Sequence, residues 1–213
     1  MTGSGPFRYA VAWKASERAV QVNIMEKSLF CYDCYRYYGG AERSLLKRLL
    51  LPLPCELQFL RAFRKAQYYR GKKWSLPLYW YWELKKRRLS FKTHIQIPTV
   101  AKVGRGLYIN HFGRVIINSA AVLGNNITIG TGVTVGQTNR GKKKGAPVIA
   151  DNVWIGANAV VVGKINIGTD VLIAPNSFVN FDVPPHSIVV GNPAKIISRE
   201  NATDGYIDNM VTL

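Results

Sequence analysis

Three histidines, His94, His111 and His186, could exchange protons near neutral pH. A neutral imidazole can take the proton of a hydroxyl while its oxygen attacks a carbonyl, as acyl transfer requires. His111 stands in Ile109-Asn110-His111-Phe112-Gly113-Arg114. Further on, Asn139-Arg140-Gly141-Lys142-Lys143-Lys144 gathers cations suited to phosphate groups or an anionic glycan, although such a run can also be a solubilising loop. His186, in Pro184-Pro185-His186-Ser187, reads as a structural turn residue, and His94 carries no assignment. No cysteine occurs after Cys55 and no serine lies in a GxSxG elbow, so direct transfer is expected rather than a covalent intermediate. Cys31 and Cys34 form a CxxC without the further ligands of a zinc site or a redox βαβ context, and read as partly buried thiols outside any disulfide, metal or redox site. A metal-dependent hydratase would want about three histidine ligands, and residues 96–190 offer only His111 and His186, so no metal is expected.

A six-residue repeat must position these groups. Aliphatic residues recur at Ile97, Val103, Ile109; Ile117, Leu123, Ile129, Val135; and Ile149, Ile155, Val161, Ile167, Ile173, Val179. A helical period of 3.6 cannot produce this register, whereas a parallel β-helix of short strands and tight corners does. Thirteen hexads predict slightly more than four coils. The phase slips twice, between Ile109 and Ile117 and between Val135 and Ile149, and such slips map to protruding loops. One loop carries His111 and the other the basic run.

The 213 residues carry a net charge of +17, unevenly spread: 19 basic and 6 acidic side chains in residues 1–95, against 10 and 6 in residues 96–213. The front section also holds all three cysteines and four of the five tryptophans. Leu45–Leu50 and Phe59–Arg64 have helical spacing, and Pro52, Pro54 and the Ser75–Pro77 segment interrupt the helices. Tyr79-Trp80-Tyr81-Trp82 followed by Lys85 to Arg88 sets aromatics beside cations. That surface reads either as solvated charge around an aromatic core or as an attractor of nucleic acid, an anionic membrane face or a phosphate-rich small molecule. With 47% apolar residues the chain can build a core, and its apolar runs are too short for a membrane span. No signal-peptide pattern opens the sequence, so the expected location is cytoplasmic. The expected division is an extension over 1–24 with Met25 as an alternative start, a basic aromatic helical domain over 25–95, a β-helix over 96–190 and a C-terminal segment over 191–213.

The hexads, Val103-Gly104-Arg105-Gly106-Leu107-Tyr108-Ile109-Asn110-His111, the basic loop and Gly191-Asn192-Pro193-Ala194-Lys195 together resemble the left-handed β-helix acyltransferases. The likeness is to the serine acetyltransferase branch and, most of all, to its capsular and exopolysaccharide O-acetyltransferase relatives. It implies a mainly β fold, a left-handed parallel β-helix preceded by a small α-helical domain, acetyl-CoA as donor, and a homotrimer with sites between neighbouring β-helices. It further implies His111 as catalytic base, Ala157, Pro175, Lys195, Lys142 and Lys143 at the CoA, and Asn110 and Arg140 at the acceptor.

The sequence departs from serine acetyltransferases at Gln96 and Asn110, where they carry Asp, and at Ala146, where they carry a loop histidine. These departures favour a sugar hydroxyl of a capsular or extracellular polysaccharide, or its precursor, over free serine or a xenobiotic. A backbone carbonyl, Asp33 or Glu83 is then expected to orient His111. Peripheral contact with the anionic inner membrane face fits the basic front section. A non-enzymatic basic scaffold remains the contrasting reading, and nucleic acid is not an expected partner.

Overall fold

The computed structural model describes residues 29–39 and 53–212, the side chain of Lys73 excepted. The 1–24 extension, the Met25 start and the Leu45–Leu50 helix lie outside the described residues. Helix α1 spans Leu29–Tyr38, α2 Cys55–Tyr69 and α3 Leu76–Thr93, with a 3-10 turn at Lys73–Ser75. α1 ends where Gly39 turns into the left-handed region at φ 59°, its N–H reaching the Tyr35 carbonyl at 2.8 Å. α2 follows Pro54, carries Glu56 in its first turn, where the helix dipole favours an anion, and buries Leu57, Leu60 and Phe63. α3 has Pro77 in its first turn and closes at His94, whose φ of 58° gives this histidine its role: a left-handed cap bonded to Ser90 O at 2.7 Å.

Beyond His94 the chain winds into a parallel β-helix with three faces. The first face stacks β1 (Ile95–Gln96), β4 (Val115–Ile117), β7 (Thr134–Gly136), β10 (Val160–Val162) and β13 (Phe178–Val179). The second stacks β2 (Lys102–Val103), β5 (Val122–Leu123), β8 (Val148–Ile149) and β11 (Asn166–Ile167). The third stacks β3 (Tyr108–Ile109), β6 (Thr128–Ile129), β9 (Val153–Ile155), β12 (Val171–Ile173) and β14 (Ser187–Gly191), and is closed by the antiparallel β15 (Ala194–Ser198). All thirteen hexad aliphatics are buried, each worth about 1.5–3 kcal/mol in removed apolar surface. Asn126, Asn152, Asn158 and Asn176 turn corners with positive φ, a conformation that Asn tolerates better than other residues with a Cβ.

The solenoid exceeds the coil count expected from the hexads. Val183 bridges Ile167 and Val189 pairs with Ile173, both buried, so two further faces carry the stack close to five coils. The spacing from Val179 to Val183 is four residues, and this slip beside Pro184-Pro185 conceals the last coil from a six-residue count.

Residues 199–212 then return along the third face. Asp170 accepts the N–H groups of Ala202 and Thr203 at 3.0 Å each, Tyr206 meets the Trp154 ring with centroids 5.0 Å apart, and Asn126 accepts the Val211 N–H at 2.9 Å. Arg36 reaches the Asp208 carbonyl from α1 at 2.9 Å.

Candidate active site

His111 is exposed on the corner between the third and first faces, in the loop that joins β3 to β4. Each of the three helical regions holds that loop. From α1, the Tyr37 hydroxyl donates to Ile109 O at 2.7 Å and accepts the Ile109 N–H at 3.1 Å, fixing the strand that enters the loop. Burial pushes the Tyr37 phenol well above its ordinary pKa, so it stays neutral and keeps its proton for Ile109. From α2, the buried Glu56 accepts the Phe112 N–H through Oε1 at 2.7 Å. From the end of α3, Thr93 O accepts the Gly113 N–H at 2.9 Å and His94 O accepts that of Val115 at 3.2 Å. Gly113 has φ 144°, and a Cβ there would collide with the Thr131 hydroxyl.

A buried ion pair braces this arrangement. Arg64 Nε and Nη2 grip the two Asp33 oxygens at 2.8 and 3.0 Å, while Nη1 and Nη2 also donate to Val103 O and Gly104 O. Asp33 accepts the Leu107 N–H at 2.9 Å, so α1, α2 and the first coil meet at one charged node. Burial raises the Asp33 carboxyl, and the Arg64 charge and hydrogen bonds oppose that rise. Beside it Arg36 spans Gly106 O, Thr128 Oγ1 and Asp208 O, its guanidinium lowered by burial to about 10.

This corrects one expectation. Asp33 is committed to Arg64 and Leu107, and Glu83 to Lys86 Nζ at 2.8 Å and Thr99 Oγ1 at 2.6 Å, so these contacts serve neither as the partner of His111. The carboxylate that does reach the loop is Glu56, one residue from His111 in its contact. Nothing in the sequence singles it out, since an acidic residue early in a helix is ordinary.

The corner carrying His111 runs the length of the solenoid. Asn110 N bonds to Ile129 O, Gly130 N to Ile155 O, and Gly156 N to Ile173 O, which stacks these corner positions above one another. The residues that follow them, His111, Thr131, Ala157 and Pro175, therefore share one edge. At ~4.8 Å per coil, His111 and Pro175 are about 14 Å apart along it. Ala157 is half-buried and Pro175 exposed. Lys195 is exposed on β15, and the turn before it is tied to this end of the edge by Gly191 N–H, which donates to Ser177 Oγ at 3.1 Å.

Arg140, Lys142 and Lys143 lie elsewhere. Their loop, a small hairpin bridged at Thr138 and Gly145, leaves the corner between the first and second faces, where Lys143 Nζ donates to Asn180 O at 2.6 Å. Within one chain the basic loop and His111 thus occupy different edges. Asn110 is exposed and accepts weakly from the Tyr108 hydroxyl at 3.4 Å, while Ala146 packs partly buried against the core. His186 pairs with Asp170 at 2.8 Å, no disulfide joins the cysteines, and no described helix is long and apolar enough to cross a membrane.

A family model for the bacterial transferase hexapeptide (six repeats) matches residues 146–180. The chain is 42% identical over 115 residues to a serine acetyltransferase of Staphylococcus aureus, covering 54% of this chain and 54% of that protein. It is 42% identical over 110 residues to that of Helicobacter pylori, covering 52% and 64%. The matched stretches thus span about half to two-thirds of the relatives' length. Among solved structures, the serine acetyltransferase of Neisseria gonorrhoeae in complex with serine is similar with a TM-score of 0.62 at 30% identity, over 92% of this chain and 78% of that one.

Proposed function

Because this chain belongs to the hexapeptide-repeat transferases, we propose that it is an acetyl-CoA-dependent O-acetyltransferase with His111 as general base. The observation that carries this reading is the loop geometry: an exposed imidazole, held from three helical regions, at one end of an edge formed by Thr131, Ala157 and Pro175. A thioester arm lying along that edge brings its acetyl carbonyl to His111. The acceptor oxygen attacks the carbonyl as His111 removes its proton. Collapse of the tetrahedral intermediate breaks the C–S bond, and the departing CoA thiolate takes the proton from the imidazolium. The products are the acetyl ester and CoA.

The basic loop enters this reading through a homotrimer. Because Arg140, Lys142 and Lys143 sit on a different edge from His111, packing β-helices side by side sets the loop of one copy against the His111 edge of the next. There its cations meet the CoA phosphates.

The relatives favour serine as acceptor, and the capsular or extracellular polysaccharide expected from the sequence gains no support from them. A sugar hydroxyl is kept as second reading by Gln96, Asn110 and Ala146, which stand where the resemblance to serine acetyltransferases implies two aspartates and a loop histidine. CoA release from acetyl-CoA is the deciding measurement, with serine, neutral oligosaccharides, acidic polysaccharides and chloramphenicol as acceptors. Serine-dependent release that falls by orders of magnitude in His111→Ala, with CoA affinity retained, supports the proposal. Glycan-dependent release transfers the chemistry to the second reading, and full turnover by His111→Ala overturns the assigned base.

A further inference from the structure

Helix α3 buries one of its cations and leaves three large apolar side chains in solvent on one face. Inside lie Lys86 and Thr93, 5% and 0% exposed, with Lys86 Nζ bonded to Glu83 and to Thr99 Oγ1. Outside stand Trp80, Leu84 and Phe91, 54%, 54% and 78% exposed. At about 100° per residue these three fall within about 40° of arc, forming one apolar ridge along the helix. Arg88 and Lys92 flank the ridge on one side and Arg87 on the other, all exposed. The helix has one acidic residue, Glu83, and the buried Lys86 already neutralises it. Large apolar side chains left in solvent on one helix face, with cations interleaved, mark a candidate contact surface.

We propose that this face of α3 docks on an anionic lipid bilayer, with Trp80, Leu84 and Phe91 entering the interfacial layer and Arg87, Arg88 and Lys92 meeting lipid phosphates. Charge selects this occupant. A second copy of the same face would oppose cation to cation, with no outward acid to answer them. A nucleic acid would satisfy the cations, but Leu84 at the centre of the ridge offers no ring for base stacking. Acyl chains accept Leu84 and both aromatics, and the longer basic side chains can reach the headgroups from the shoulders of the ridge. With no described helix fit to span, the helix lies along the surface. The proposal stands on α3 and does not depend on the acetyl-transfer reading.

Flotation of the full-length protein with vesicles tests it, comparing phosphatidylcholine alone with phosphatidylcholine containing about one-third phosphatidylglycerol. The protein is expected to float with the anionic vesicles and not with the neutral ones, less so as salt rises. Arg87→Gln should weaken binding about fivefold. Replacing Trp80, Leu84 and Phe91 together by Ser should abolish it at unchanged net charge, and Phe91→Ser alone serves if the triple variant does not fold. Absence of flotation with anionic vesicles overturns the proposal. So does full binding by the Ser variants, which would reduce the contact to unspecific electrostatics. Single-stranded RNA binding in place of vesicle binding would give the face to nucleic acid. A smaller assembly for the Ser variants by sedimentation velocity, without vesicle binding by wild type, would give it to a second copy.

Discussion

Glu56 and Phe112 are 56 residues apart in the chain, and the carboxylate of one accepts the backbone N–H of the other at 2.7 Å. The contact joins the first turn of α2 to the residue after His111, so the helical region and the solenoid share responsibility for where the imidazole stands. Phe112 itself is 60% exposed, so this hydrogen bond acts together with those from Tyr37, Thr93 and His94, rather than through packing of the Phe112 side chain, to fix the loop.

Glu56→Ala is therefore expected to lower kcat about ten- to a hundredfold, the equivalent of the ~1.5–3 kcal/mol of a hydrogen bond to a charged group. KM for acetyl-CoA should move by less than about twofold, since the thioester arm does not touch Glu56 in the proposed complex. Glu56→Gln keeps an acceptor oxygen and should recover most of the rate. Steady-state kinetics on the two variants decide the matter, and an unchanged kcat in Glu56→Ala would show that the loop needs no such anchor.

The node at Asp33 and Arg64 predicts a stability effect instead. Arg64→Met would leave Asp33, which is 0% exposed, as an unpaired buried carboxylate at a cost of about 3–5 kcal/mol. Adding Asp33→Asn should return part of that loss, because the uncompensated charge is then gone. Urea unfolding of wild type, Arg64→Met and the double variant measures both. Equal midpoints for the two variants would mean that lost packing, not stranded charge, dominates.

How far such features are legible in the sequence depends on their range. The hexads are local, and each of their thirteen aliphatics lies inside the solenoid; the two phase slips mark the loops of His111 and of Arg140. The shortened step from Val179 to Val183 is local too, but it breaks the period and so conceals the last coil. Glu56 is beyond any periodicity, because its partner lies on another element. Composition also misleads within Lys85–Arg88: a charge run reads as solvated surface, yet Lys86 is 5% exposed, held by Glu83 and Thr99. The assignment of Asp33 or Glu83 to His111 fails for a related reason, since each carboxylate has a buried cation of its own.

Gly113→Ala tests the loop from the other side. At φ 144° an L-residue is strained, and the new methyl group meets Thr131 on the next coil. Backbone strain of about 1–3 kcal/mol is expected to displace His111 without unwinding the coils, whose hydrogen bonds do not pass through residue 113's side. Turnover should fall at least tenfold while the circular dichroism spectrum stays that of wild type. Thr131→Gly added to Gly113→Ala should relieve the contact but not the dihedral strain, giving partial recovery of rate.

The returning C-terminal segment should loosen at acid pH through Asp170. Burial alone would raise that carboxyl, but hydrogen bonds from Thr203, His186 and Ala202 together hold it below its ordinary 3.8. Its contribution is therefore present above pH 3.8 and is lost as the pH falls through the lowered value. The His186 partnership runs the opposite way. The hydrogen bond to Asp170 raises the imidazole above its ordinary 6.5, so what it contributes is complete below 6.5 and disappears as the pH rises through the raised value. Exposure of His186 makes that second effect small, and the amides of Ala202 and Thr203 keep their Asp170 acceptor throughout it. Hydrogen exchange at these two amides, corrected for the intrinsic pH dependence, should thus show little change across the histidine transition and a loss of protection only below pH 3.8. Asp170→Asn should lose protection at every pH, whereas His186→Ala should resemble wild type above its transition. Protection that vanishes with the histidine instead would make His186, and not Asp170, the anchor of the segment.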